Sequence, residues 1–136
     1  MDILGILYLN YDPAACLLRD GKIVAMAEEE RFIKIKHAKG NFPINAIRFC
    51  LKQGNISLKD VKFIAVGWDV NEYKEKIPKF FSRIKEEYKS IIDEESLKWM
   101  ENSLKRFDPE DYTNSIIDKL AEHGFKKEDI PEIRYA

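Results

Sequence analysis

The chain has 136 residues, 45% of them hydrophobic and 35% charged, with a net charge of −1. That length holds one ordinary domain with a core of its own. The near-neutral balance lacks the basic surplus of a general nucleic-acid binder. No apolar run reaches the roughly 18–20 residues that a membrane helix needs. The N-terminus has neither the basic start nor the small-residue cleavage site of a secretory signal. The expectation is a cytoplasmic protein with no nucleic-acid or membrane partner. Cys16 and Cys50 are far apart and form no metal-binding pair, so both read as buried thiols in reducing surroundings.

Ile3 to Leu9 is an almost unbroken apolar run, the pattern of a strand covered on both faces. Asn10-Tyr11-Asp12-Pro13 carries turn chemistry, because Asn and Asp bond the local backbone and Pro presets φ. Ala14 to Leu18 reads as a second strand and Ile23 to Ala27 as a third. Between them lies Asp20-Gly21, a hairpin signal because glycine accepts the positive φ of a tight turn. The chain then turns abruptly charged over Glu28-Glu29-Glu30-Arg31-Phe32 and continues as a basic loop to Gly40. Asn41 or Phe42 is the expected N-cap of a helix whose first residue is Pro43. Ile44, Ile47 and Leu51 share one face of it, and Gly54 reads as the glycine that ends it. Val61 to Gly67 is a fourth strand, which a crossover helix places parallel to the first.

From Glu72 the periodicity becomes helical. Ile77, Phe80, Phe81, Ile84, Tyr88 and Ile91 form one apolar stripe, with Pro78 expected in the first turn or at the helix start. A second helix spans about 94–106 with Leu97, Met100 and Leu104 inward. A third opens at Asp108-Pro109 and ends near Gly124. Ile133 begins a fifth strand, and a strand with no exit suggests a piece of a longer protein. The organisation expected is 1–70 as meander, crossover helix and fourth strand, 71–130 as a helical insertion, and 131–136 as the start of the fifth strand. The fold class is α/β. It resembles part of the ribonuclease-H-like domain of the actin, Hsp70 and sugar-kinase superfamily. A kinase-type phosphate loop fits poorly, because the first turn has no glycine to let backbone amides approach a phosphate.

The residues Asp12, Ala14 and Ala15, then Arg19–Ala25, Glu29–Phe32, Lys34, Lys36 and His37, then Phe42, Pro43, Ala46–Arg48, Cys50 and Leu51 form an ordered series. This series resembles the N-terminus of the O-carbamoyltransferases, which include the nodulation-factor, cephamycin and aminoglycoside enzymes. The resemblance implies the first part of a Kae1-like domain. The parent would move a carbamoyl group from carbamoyl phosphate, through carbamoyl-adenylate, to a hydroxyl of a sugar or other small acceptor. It would use ATP and a divalent metal, and its partners would include the remainder of the same polypeptide. The family's His-His-x-x-His-Ala metal motif would start beyond Ala136, so no metal ligand is assigned in this chain. No cofactor is expected on it, and alone it should be inactive.

The resemblance also suggests roles. Asp12 would orient the acceptor hydroxyl or a metal-bound ligand, where the plain alternative is an Asx-turn residue. His37 lies within the family-like series and joins Asp12 as a catalytic candidate. Glu30 and Arg31 would face the cleft, with Arg31 gripping a carbamoyl phosphate or adenylate oxygen through its planar fork. The plain alternative for the three glutamates is a solvated charge run. Lys34 and Lys36 would supply donors to an anion from a loop. Tyr11 stands where the family commonly has His, and it offers a hydrogen bond without serving as a base. Pro13 stands where Ser or Ala is usual. His123, at a helix end, reads as structural. The other function class is a stand-alone or degenerate binding module of the same superfamily without catalysis. It would expose an apolar patch and bury it in a homodimer.

Overall fold

The computed structural model describes residues 1–9, 11–106 and 108–135. Asn10 of the first turn and Ala136 of the fifth strand therefore lie outside the described residues. The architecture is α/β: five strands in one mixed sheet, with helices, compatible with part of a ribonuclease-H-like domain. In chain order the elements are β1 (Asp2–Leu7), β2 (Ala14–Arg19), β3 (Lys22–Glu28), α1 (Glu30–Ile33) and α2 (Ile44–Gly54). They continue with β4 (Phe63–Val66), α3 (Val70–Glu87), α4 (Glu94–Arg106), α5 (Pro109–Glu122) and β5 (Ile133–Tyr135). The sheet order is β3-β2-β1-β4-β5. Strands β1 to β3 pair antiparallel, whereas β4 joins β1, and β5 joins β4, in parallel.

The chain divides into two compact units, 1–68 with 117–136, and 69–116. In the first unit the strands alternate. Leu4, Ile6, Leu17, Ala25, Ile64 and Val66 are buried, while their neighbours along each strand are not. Helix α2 packs on β2 and β3 and contributes Ala46, Ile47 and Cys50, each fully buried. The β2–β3 hairpin turns through Asp20 at φ 50° and Gly21 at φ 78°, so both central residues take the left-handed conformation that the hairpin needs.

The ends of α2 differ from expectation for reasons the packing supplies. Pro43 is the N-cap, not the first helical residue, and it brings no side-chain cap bond. The acceptor comes instead from a distant glutamate, described below. At the other end Gly54 remains helical and Asn55 takes the left-handed cap at φ 51°. Gly54 is needed for space. A Cβ there would clash with Leu17 Cδ2, and Leu17 is wholly buried with little room to turn. The Gly54 carbonyl also accepts from Arg19 Nη2 at 3.0 Å, while Arg19 grips the Asp2 carboxylate and holds it below the usual carboxylate range. Gly54→Ala is expected to destabilise the chain by about 1–3 kcal/mol through overpacking. Urea unfolding would measure it, and an unchanged midpoint would refute the packing argument.

Cys50 is fully buried and its thiol donates to the Ala15 carbonyl at 3.4 Å; burial pushes its pKa up to about 11. Cys16 is not fully buried, contrary to expectation, because it sits on the other face of β2. In the second unit α3 begins earlier than expected. The Asp69 carboxylate caps it by accepting from the Glu72 amide at 3.0 Å, which leaves Pro78 inside the helix rather than in its first turn. Phe81 is buried, while Phe80, Tyr88 and Ile91 are exposed. On α4, Met100 is buried, but Ser103 takes the place expected of Leu104, its hydroxyl donating to the Trp99 carbonyl at 2.8 Å. Asp108 caps α5 by accepting from the amides of Glu110 and Asp111.

Candidate functional site

The parallel pair β1 and β4 fixes where a site can lie. In open α/β sheets ligands gather beyond the carboxyl ends of the parallel strands. Here that edge is formed by the loop after β1, the start of β2, the end of β3, α1 and the start of α2. The register places Leu7, Ala14 and Glu28 side by side at this edge. Three main-chain bonds tie the loops together. The Asp12 amide donates to the His37 carbonyl at 2.9 Å, the Glu29 amide to the Pro13 carbonyl at 2.8 Å, and the Ala38 amide to the Ile35 carbonyl at 3.1 Å.

Strain gathers here as well. Leu9, Asp12, Lys34, His37 and Ala38 account for five of the seven non-glycine residues with positive φ among the described residues. Each such conformation costs on the order of 1–2 kcal/mol for an L-residue. The surrounding bonds hold it in place.

The side chains converge in a small cluster. His37 Nδ1 lies 2.9 Å from Asp12 Oδ1. The His37 amide donates to Glu30 Oε2 at 2.7 Å, so Glu30 holds the loop that carries the imidazole. Tyr11 stands edge-on to the His37 ring at 6.2 Å and accepts from Lys39 Nζ at 3.0 Å. Of the candidates read from the sequence, the fold thus brings together Asp12, His37, Glu30 and Tyr11. Arg31 points elsewhere and sits 3.8 Å from Glu28, both side chains largely open to solvent. Lys34 caps α1 in the left-handed region, and Lys36 opens the 3-10 turn at Lys36–Ala38; both are exposed. His123 stacks on Phe42, and its carbonyl accepts from Arg48 at 2.8 Å.

Two contributors escaped the sequence reading. Lys39 reaches Tyr11, and nothing in the basic loop singles it out. Glu29 is 1% exposed. Its carboxylate accepts from the Asn45 side chain and from the amides of Asn45, at 3.3 Å, and Ala46, at 2.9 Å. These amides open α2, so Glu29 caps the helix from the end of β3 and welds the site edge to it. The hint was available: α2 starts at Phe42-Pro43, with no capping side chain at Pro43, and its first amides needed an acceptor.

The residues present do not fit an ATP phosphate cradle. The Asp12 amide is already bonded and Pro13 has none to offer. Asp12, Glu30 and His37 place possible ligand atoms within 4.8 Å of one another, the first two residues half-buried and His37 exposed. Nδ1 of His37 is engaged by Asp12 and Oε2 of Glu30 by the His37 amide, so a cation at the cluster would have to use Nε2 and the other carboxylate oxygens. Among the described residues no helix is long and apolar enough to cross a membrane.

Residues 2–136 match the family described as the carbamoyltransferase N-terminus. The chain is 35% identical over 143 aligned residues to the uncharacterized protein sll1178 of Synechocystis sp., covering 98% of this chain and 21% of that protein. It is 42% identical over 55 residues to the nodulation protein NolNO of Sinorhizobium fredii, covering 40% of this chain and 8% of that protein. It is 40% identical over 55 residues to an uncharacterized 19.2 kDa protein of Rhizobium etli, covering 40% of this chain and 32% of that protein. The chain thus spans between 8% and 32% of the length of these relatives. The chain belongs to the carbamoyltransferase N-terminal family.

Proposed function

We propose that the chain is the N-terminal part of an O-carbamoyltransferase that moves a carbamoyl group from carbamoyl phosphate, through carbamoyl-adenylate, to a hydroxyl of a sugar or other small acceptor. The observation that carries this reading is the Asp12–His37 pair, held at 2.9 Å at the open edge of the sheet in a chain of this family. ATP and a divalent metal belong to the longer polypeptide in this reading, on residues outside this chain, and no step below passes through them.

The Asp12 carboxylate accepts from Nδ1–H of His37 and so fixes the tautomer that leaves Nε2 free to take a proton. The acceptor hydroxyl gives its proton to Nε2 as its oxygen attacks the carbamoyl carbon. A C–O bond forms to the acceptor, and the bond from the carbamoyl carbon of the adenylate to its phosphate oxygen breaks, the electron pair leaving on that oxygen with AMP. Glu30 holds the loop through the His37 amide. Tyr11 offers its hydroxyl to the incoming acceptor. Arg31 in α1, Lys34 at its end and Lys36 on the 3-10 turn are exposed and attract the anionic donor by their charge.

The test is to supply the full-length polypeptide with carbamoyl phosphate, ATP and a panel of sugars and small alcohols, and to look for carbamoylated product by mass spectrometry. A product that fails to form when the acceptor hydroxyl is methylated supports the reading. Acceptor binding without turnover across the panel, with carbamoyl-adenylate still made, would favour the binding module.

A further inference from the structure

The start of α2 borders the candidate site. Its other end opens on a cleft of about 550 Å³ that none of the chemistry above uses. The helix has 11 residues, so roughly 16 Å separates its two ends. Leu51, Ile56, Leu58 and Phe125 give the cleft an apolar floor, of which Leu51 and Leu58 are buried. Four exposed cations, Arg48, Lys52, Lys59 and Lys126, stand around it against one carboxylate, Asp129. That is a surplus of three positive charges on a chain whose net charge is −1. A cleft lined by one sign of charge over low-dielectric walls concentrates ions of the other sign.

The cations are left for a ligand. Among the described residues none of the four is in an ion pair, whereas Lys119 pairs with Glu122 and Lys127 with Asp118. Asp60, next to Lys59, gives its carboxylate to the Ser57 amide and hydroxyl instead. Arg48 and Lys52 lie one turn apart on α2, a like-charge spacing that costs helix stability until an anion joins them. Arg48 is aimed by a single bond, from Nη2 to the His123 carbonyl at 2.8 Å, and the rest of its planar fork is open.

We propose that this cleft binds a nucleoside phosphate, at a site separate from the Asp12–His37 edge. The phosphate meets the four cations, Arg48 offering the donor geometry that suits its oxygens. The base lies on the floor beside the Phe125 ring, and Asp129 accepts from a ribose hydroxyl or a base amino group. The volume is that of a small-molecule site. Bare phosphate would leave the apolar floor uncovered. A phosphorylated sugar would set hydroxyls against the same side chains without partners. The proposal goes beyond the transferase reading and does not depend on it.

Photolabelling of the full-length polypeptide with 8-azido-AMP, followed by peptide mapping, tests it. Label is expected within 48–59 and 124–129, the two stretches that line the cleft. AMP should displace it, and the same concentration of inorganic phosphate should not. Lys52→Glu and Lys126→Glu are each expected to lower this labelling at least about tenfold at subsaturating probe, since each replaces an attraction by a repulsion. Both side chains are exposed, so neither change disturbs the core. Lys22→Glu, which makes the same change of net charge on β3, should leave the labelling as it is. Absence of label from both stretches overturns the proposal, as it would if the rest of the polypeptide filled the cleft. Label that survives both charge reversals overturns it too. Equal displacement by inorganic phosphate also overturns it, because the cleft is then an anion patch without a base site. Carbamoyl transfer is not the readout, so the nucleotide site and the transferase reading fail separately.

Discussion

Replacing His37 by Gln in the full-length polypeptide is expected to lower carbamoyl transfer by roughly 100- to 10,000-fold, the usual contribution of a positioned general base. The loss should fall on kcat, because the imidazole acts as the hydroxyl proton leaves and contributes little to holding the ground state. Asp12→Asn should also lower kcat. An amide at Oδ1 would leave His37 Nδ1 without its carboxylate partner at 2.9 Å, and the favoured tautomer would be lost. The double variant should be scarcely slower than either single one, since the two side chains act as a unit. Carbamoyl-adenylate formation, followed by pyrophosphate release, should be untouched in all three. Full transfer activity in His37→Gln would remove the imidazole from the chemistry and leave the Asp12–His37 bond as loop architecture.

Glu29→Ala is expected to cost about 3–5 kcal/mol of folding stability, read from the midpoint of urea unfolding. Removing the carboxylate strands the Asn45 side-chain amide and the backbone amides of Asn45 and Ala46. The buried Ala46 amide left without a partner costs about 1–3 kcal/mol, the two part-buried Asn45 donors cost less, and the lost helix cap adds about 1 kcal/mol. Glu29→Gln should lie between wild type and Ala, since its oxygen replaces one acceptor while its NH₂ meets donors. An Ala variant within about 1 kcal/mol of wild type would show that α2 finds other partners.

The meander was legible because its signals are local. Asp20-Gly21 needs no context to mark a hairpin, and the parallel place of β4 follows from a helix between two strands. The charged run after β3 was not legible. Glu28, Glu29 and Glu30 are chemically alike, and nothing within the run tells that the middle one is buried while its neighbours pair with Arg31 and the His37 amide. That is decided by α2, sixteen residues on in the case of Asn45. The ends of α2 were misread for the same reason: a distant carboxylate caps it, and a distant leucine reserves the space at Gly54. The pairing of Asp12 with His37 lay beyond any spacing rule. It depends on a main-chain bond between loops 25 residues apart. Only the resemblance put both residues among the candidates.

The frame of the site is built from main-chain groups: Asp12 to His37, Glu29 to Pro13, Ala38 to Ile35. Every residue type offers a carbonyl, and every one but proline an amide. Side chains on these loops can therefore be exchanged over evolutionary time without dismantling the scaffold that aims them. Pro13 illustrates it, since it takes part only through its carbonyl and so satisfies the frame despite lacking an N–H. Tyr11 sits on the same permissive turn and is 52% exposed. Such a rim can change its side chains while the geometry beneath it is kept.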